Sequence, residues 1–381
     1  MKKTTILIMI LVVVAAMMVF TGCKTATTTS ETTAAAETTA AVTETTANPK
    51  DLYTYENLRE MAKAGKYDGT PAAGHTLIFD NALKGVDFFT LIQDDVAKQW
   101  KLAGGSDSDY TLLVNNCDSK QMAADADIAL GKKPNTWIIF YPYPTENAMM
   151  GKRALQAGIN VIGVDIPVTG FPFMGADNLG VGQALGNYIV DYVKNKWGGW
   201  DNVDLVVIPN NAVNGELVNL RMFGCADVLK ATFGASADYD ATGKTQQMKD
   251  SKVVIAPTSG NAEPDKAAMT DILSANPDAK KIIAIDMNDM GASGYQAAAA
   301  TLNRWNPEDW LLLGTGCDAQ GQQLLRDGLI SGTVGFFPEK YGEYLIPGAL
   351  AAAYGNPVPA YMMMDHVVID MTNIDQYYPK S

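Results

Sequence analysis

From about Lys50 onward the chain alternates short, continuously apolar runs with stretches whose apolar positions recur at helical spacing. The run HTLIF at 75–79 precedes a helical pattern over 88–102, and YTLLV at 110–114 precedes one over 118–130. Asp118 and Gln121 stand there at capping-box spacing. TWIIF at 136–140 precedes 145–157, and NVIGV at 160–164 ends in Asp165. A helical lead-in over 55–66 comes before them all. A second series opens at Leu179, where Val181, Leu185, Tyr188 and Tyr192 share one helical face down to Lys196. The runs at 205–208, 252–256, 281–285 and 310–313 are continuously apolar after the opening Lys252 and Lys281 of the middle two, as expected of strands buried on both faces of a parallel sheet. Helical patterns at 216–231, 262–275, 291–302 and 320–327 separate or follow them. Residues 233–251 fit neither period and read as an extended surface loop.

Two successive series of alternating strand and helix predict an α/β fold of two doubly wound parallel-sheet lobes, with a cleft where the carboxyl ends of the strands face each other. The roughly 330 residues after Lys50 are too many for one core and suit two. The expected division is 51–73 as lead-in, 74–176 plus 337–363 as lobe one, and 177–336 plus 364–381 as lobe two, so that three segments cross a hinge.

The first fifty residues obey different rules. Lys2 and Lys3 precede an apolar run at 6–20 that is too short to span a bilayer, and residues 1–22 read as a secretory signal. Phe20-Thr21-Gly22-Cys23 resembles the lipobox of bacterial lipoproteins, which implies acylation of Cys23 and attachment to a membrane. Residues 24–48 are nearly all Thr, Ala and Glu, a composition that cannot offset chain entropy by burial, so 23–50 reads as lipid attachment and disordered tether. The expected location is the periplasm or the outer face of the cytoplasmic membrane.

Charge and motifs narrow the function. The formal net charge is −13, and loss of Lys2 and Lys3 with the signal makes it −15, which argues against nucleic acid as a partner. Cys117, Cys225 and Cys317 have no C-x-x-C spacing; one pair after export is open, and buried free thiols are the reading adopted. There is no G-x-S-x-G, P-loop or H-E-x-x-H, and Gly180, Gly182 and Gly186 have the wrong last interval for a dinucleotide fingerprint. His75 and His366 stand far apart. No enzyme, cofactor or metal site is expected, and the working form is expected to be a monomer.

Several separated motifs carry a resemblance over about 74–370. Val86-Asp87-Phe88-Phe89, Tyr141 before Pro142, Asp165 after the fourth strand, Gly175-Ala176-Asp177-Asn178 with Gly182, and Arg221 with Gly224 occur in that order. Asn288-Asp289 with Gly294, Gly314 to Asp318, and 332–338 follow. Together they resemble the type I periplasmic binding proteins, in their sugar-binding branch of ribose and galactose receptors for ABC transporters. The resemblance implies capture of a sugar or sugar-like small molecule and its delivery to an ABC permease; the alternative is a sugar-sensing ectodomain for a membrane kinase or chemoreceptor. It also implies ligand contacts from Asp87, Phe88, Phe89, Tyr141, Asp165, Arg221, Asn288 and Phe336, with Asp318 or Gly316 at the family's aspartate position. Aromatic faces would stack on the sugar ring, and Asp165, Arg221 and Asn288 would pair with its hydroxyls. Asp177 and Asn178 read as hinge and helix cap.

Overall fold

The computed structural model describes residues 48–211, 215–235, 246–247 and 252–380. The expectations for the signal, Cys23 and the tether lie outside these residues, as does most of the loop at 233–251.

After a single turn α1 (Pro49–Leu52), helix α2 (Tyr55–Lys63) starts where the Thr54 hydroxyl accepts the Asn57 N–H. The first sheet is then laid down by alternation as far as β4, with β5 following directly: β1 (Leu77–Asn81), α3 (Asp87–Leu102), β2 (Tyr110–Val114), α4 (Ser119–Lys132), β3 (Thr136–Ile139), α5 (Pro144–Ala157), β4 (Asn160–Val164) and β5 (Phe173–Ala176). Asp118 caps α4 through the N–H groups of Lys120 and Gln121 at 2.9 and 2.8 Å, as its spacing predicted. The second sheet follows with α6 (Asn178–Lys196), β6 (Leu205–Asn210), α7 (Glu216–Phe233), β7 (Gln246–Gln247), β8 (Val253–Pro257), α8 (Ala262–Ala275), β9 (Ile282–Ile285), α9 (Asp289–Thr301), β10 (Trp310–Gly316), α10 (Ala319–Arg326) and β11 (Gly332–Gly335). The chain returns through α11 (Gly342–Ala353), β12 (Tyr361–Met364), β13 (Val367–Ile369) and the turn α12 (Ile374–Tyr377).

Among the described residues the first sheet has the order β12-β5-β4-β3-β1-β2 and is wholly parallel. The second has the order β13-β11-β10-β9-β6-β8-β7, antiparallel only at its two edges. Three segments cross between the sheets, at 177, at 336–338 and at 365–366. Met364 still pairs with Ala176 in the first sheet, so the third crossing begins just after it. The predicted strands are fully buried where they lie inside a sheet: every residue of β1, β3, β6, β9 and β10 is buried.

Two details of packing position the cleft. Leu58 and Ala62 of α2 are buried against α3 and α11, and Arg59 pairs with Glu343 at 3.1 Å while lying 3.6 Å over the Tyr344 ring. Helices α6 and α7 approach until their backbones touch, because Gly182 and Gly224 have no side chain to separate them. A Cβ built at Gly182 would sit 2.0 Å from the Arg221 carbonyl oxygen.

Candidate functional site

The carboxyl ends of β4 and β5 in one lobe face those of β6, β9, β10 and β11 in the other, and an opposite pair of charges meets between them. Asp165 follows β4 with φ of 55°, a left-handed conformation that aspartate tolerates better than most side chains. Its carboxylate accepts the Tyr341 hydroxyl at 3.2 Å, with the second oxygen at 3.4 Å, and also a backbone N–H from Ala176. Arg221 reaches in from α7. Its Nε donates to Asn178, its Nη1 donates to the Met287 carbonyl at 3.0 Å and the Thr315 hydroxyl at 3.2 Å, and its plane lies 4.6 Å over the Phe336 ring. Burial pushes the Asp165 carboxyl up to about 6; Arg221 opposes this most, then the Tyr341 hydrogen bond. Burial lowers the Arg221 pKa in turn, with Asp165 countering. Near neutral pH the site therefore holds a carboxylate and a guanidinium, one from each lobe and both half-buried.

Aromatic rings enclose the charges. Phe88, at the start of α3, packs against core residues of both lobes and meets Phe89 edge-on at 5.4 Å and Tyr341 at 5.9 Å. Phe89 leans on Phe140 at 5.2 Å. The structure thus gathers Phe88, Phe89, Asp165, Arg221 and Phe336, and adds Tyr341, Asn178 and Thr315, which sequence reasoning did not assign as partners. Asn178 was read as hinge and cap, and β10 runs on to Gly316, past its apolar stretch, carrying Thr315 to the guanidinium.

Asn288, Asp318 and Asp87 are helix-terminal. Asn288 caps α9 by accepting the Gly291 N–H at 2.7 Å and donates to the Gly260 carbonyl at 2.9 Å, which leaves one amide hydrogen and one lone pair. Asp318 caps α10 through Gly321 N at 3.0 Å, whereas Gly316 is the last residue of β10. The Asp318 pKa is raised mainly by burial, with Asp87, exposed in the first turn of α3 in the other lobe, adding like charge. Behind Asn288, Asp289 is buried and accepts the Cys317 N–H at 2.7 Å. At the mouth, Gly215 faces Pro144 of the other lobe, whose Cγ would lie 3.5 Å from a Cβ at 215.

Tyr141 does not join this group. The two-residue pleat carries it to the side of β3 that holds Trp137 and Ile139 under α4 and α5, while Phe140 takes the opposite side. Its ring is 0% exposed, and its hydroxyl donates to Asp80 at 2.6 Å and lies 3.0 Å from the Met122 carbonyl. Cys117, Cys225 and Cys317 are free thiols. Among the described residues no group of three or more His, Cys, Asp and Glu side chains is placed to hold a metal, and no helix is long and apolar enough to cross a membrane.

Two facing α/β lobes, crossed three times by the chain and with polar and aromatic side chains at their strand ends, form the type I periplasmic binding protein fold. Residues 79–357 match the model of the periplasmic binding protein domain, and the chain belongs to that family. Similar solved structures include a periplasmic ribose ABC transporter protein from Conexibacter woesei, with 19% identity, TM-score 0.66, and coverage of 82% of this chain and 98% of that one. A carbohydrate transporter solute binding protein from Agrobacterium radiobacter in complex with D-arabinose has 22% identity, TM-score 0.63, and coverage of 81% and 98%. An ABC transporter solute binding protein from Bacillus halodurans with bound myo-inositol has 16% identity, TM-score 0.64, and coverage of 80% and 98%. At these identities the likeness is one of fold. No curated protein sequence matches the chain.

Proposed function

We propose that this protein captures a sugar or sugar-like polyhydroxylated molecule between its lobes and delivers it to an ABC importer, from a position outside the cytoplasmic membrane where acylated Cys23 holds it. The observation that carries the reading is the Asp165 carboxylate of one lobe facing the Arg221 guanidinium of the other among the rings of Phe88, Phe336 and Tyr341. An acceptor opposite a planar donor suits vicinal hydroxyls, and rings suit the C–H faces of a sugar. A ligand bridging both charges would favour the closed form, because it contacts both lobes only when they are together. Asn288 and Asp318 at two helix termini, with Asp87 and Phe89 across from them, complete the proposed lining; Tyr141 supports it from the lobe-one core. No bond of the ligand is made or broken in this scheme. The solved relatives with D-arabinose and myo-inositol support a neutral polyhydroxylated ligand.

Titration calorimetry against pentoses, hexoses, polyols and nucleosides tests this. At least one neutral polyhydroxylated compound should bind at micromolar Kd or tighter. Arg221→Ala should weaken it by about 1.5–3 kcal/mol, the usual worth of a charge-assisted hydrogen bond, with the fold kept. A well-folded protein that binds nothing in the panel would refute the proposal.

A further inference from the structure

Among the described residues Tyr341 is the one fully buried side chain that hydrogen-bonds Asp165, and its position is tightly determined. The chain leaves β11 through Phe337, a bulky residue in the left-handed region at φ of 51°, whose ring rests on Tyr377 and Tyr378 at 5.8 and 6.2 Å. A non-glycine aromatic holds such a conformation only where its surroundings demand it. The turn that results brings Tyr341 beneath Asp165, and the next residue, Gly342, presses the start of α11 onto α3, where a Cβ would sit 2.4 Å from the Asp95 carbonyl oxygen. Phe88 closes the remaining side of the ring. Tyr341 is 0% exposed, so its hydroxyl has no bulk water to turn to and Asp165 is its partner.

We propose that Tyr341 is a positioning residue, which holds the Asp165 carboxylate ionised and aimed into the cleft so that ligand capture depends on the charge of Asp165. This rests on the reading of Asp165 as a hydroxyl acceptor. The groups that face Asp165 are Arg221 from α7, Tyr341 from the start of α11 and the Ala176 N–H from β5; Glu339 in turn faces Tyr341. Burial opposes the ionised form, and the charge of Arg221 with the two hydrogen bonds from Tyr341 and Ala176 opposes burial. A charged carboxylate accepts two ligand hydroxyls, whereas a protonated one keeps a hydrogen that must find an acceptor. Capture of a neutral sugar therefore weakens as the pH falls through the Asp165 midpoint, and loss of the Tyr341 donor moves that midpoint up.

The first measurement needs no ligand. Carboxyl carbon NMR of the aspartate-labelled chain, with the Asp165 signal identified by its absence in Asp165→Asn, gives the midpoint in wild type and in Tyr341→Phe. The midpoint should rise by more than half a pH unit in Tyr341→Phe; an unchanged or lowered midpoint would overturn the proposal. Should Tyr341→Phe fold poorly, 3,5-difluorotyrosine placed at 341 keeps the shape and strengthens the donor, and the midpoint should fall. The second measurement is affinity for D-ribose, D-arabinose and myo-inositol against pH. Tyr341→Phe should bind at least about twofold more weakly near pH 6 and nearly normally at pH 8.5, and Asp165→Asn should flatten the profile. An equal loss at every pH would mean a merely structural role and would overturn the proposal. A raised midpoint with none of the three sugars bound would uphold the positioning of Asp165 and sink the sugar reading.

Discussion

Gly182→Ala tests whether the contact between α6 and α7 sets the position of the site's cation. The new methyl would lie 2.0 Å from the Arg221 carbonyl oxygen, 2.8 Å from its carbon and 2.9 Å from Cys225 N. All three are backbone atoms of α7, so no rotamer change relieves the clash. Ordinary carbon–oxygen contact needs roughly 3.2–3.5 Å, and the helices must therefore separate by about 1 Å or more. Overpacking of this kind costs about 1–3 kcal/mol, while replacing glycine inside a helix returns close to 1 kcal/mol of propensity. Because backbone rather than side chain is struck, the upper part of the range applies, and a net loss of about 2 kcal/mol is expected. For a folded part of about 330 residues that corresponds to a fall in melting temperature of about 3 °C. The same shift displaces Arg221 from Thr315 and Met287, so sugar affinity should fall by tenfold or more although residue 182 touches no ligand. Differential scanning calorimetry and binding on the same sample read both effects. A variant as stable as wild type, with unchanged affinity, would refute the argument.

Further outcomes follow from buried groups. Asp80 and Asp289 are pushed up to about 7 and Asp165 to about 6, mainly by burial, and Asp286 is raised as well. Unfolded aspartates titrate near 3.9, so between about pH 4 and 7 the folded chain holds more protons than the unfolded one. Stability from these groups is thus fully present at the acid end and is lost as the pH rises; the melting temperature should be higher at pH 5 than at pH 8, and the opposite order would contradict the burial argument. Tyr141→Phe removes the donor to buried Asp80 and should cost about 1–3 kcal/mol in urea unfolding while leaving sugar affinity within twofold; a large loss of affinity would return Tyr141 to the cleft. Burial raises all three thiols, but Cys225 and Cys317 are buried and Cys117 only half-buried, so a thiol reagent should modify Cys117 first and reach the other two only on unfolding; rapid native labelling of Cys225 would contradict its placement.

The interior strands were legible because a run such as Val253–Pro257, buried on both faces, admits no polar residue and stands out against its flanks. The edges were not. β12 alternates exposed Tyr361 and Met363 with buried Met362 and Met364, a pattern too brief to register, and β5 is only Phe173–Ala176. Helix α11 is buried around most of its circumference, so its sequence GEYLIPGALAAA has no polar face to mark a period, and Pro347 lies inside it. At the site, Asp165 and Arg221 were named because the motifs around them resemble the family's, Asp165 just after a strand and Arg221 within a helix, and the structure brings the two to one cleft. Tyr341 was missed because its role depends on a left-handed turn at Phe337 that no local preference foretells. The placement of Tyr141 was open to a simple argument from the strand's two-residue period, since 137, 139 and 141 share a face.

Arg221 is fixed by Asn178, Thr315, the Met287 carbonyl and the Phe336 ring, all supplied from its own half of the molecule or the rim of the hinge. An arginine free to sweep through its rotamers forfeits about 2 kcal/mol when a guest immobilises it. Here that disorder is surrendered once, when the chain folds, so under the proposed function each arriving ligand would meet a cation already at rest. Repeated loading and unloading would then incur none of that loss again.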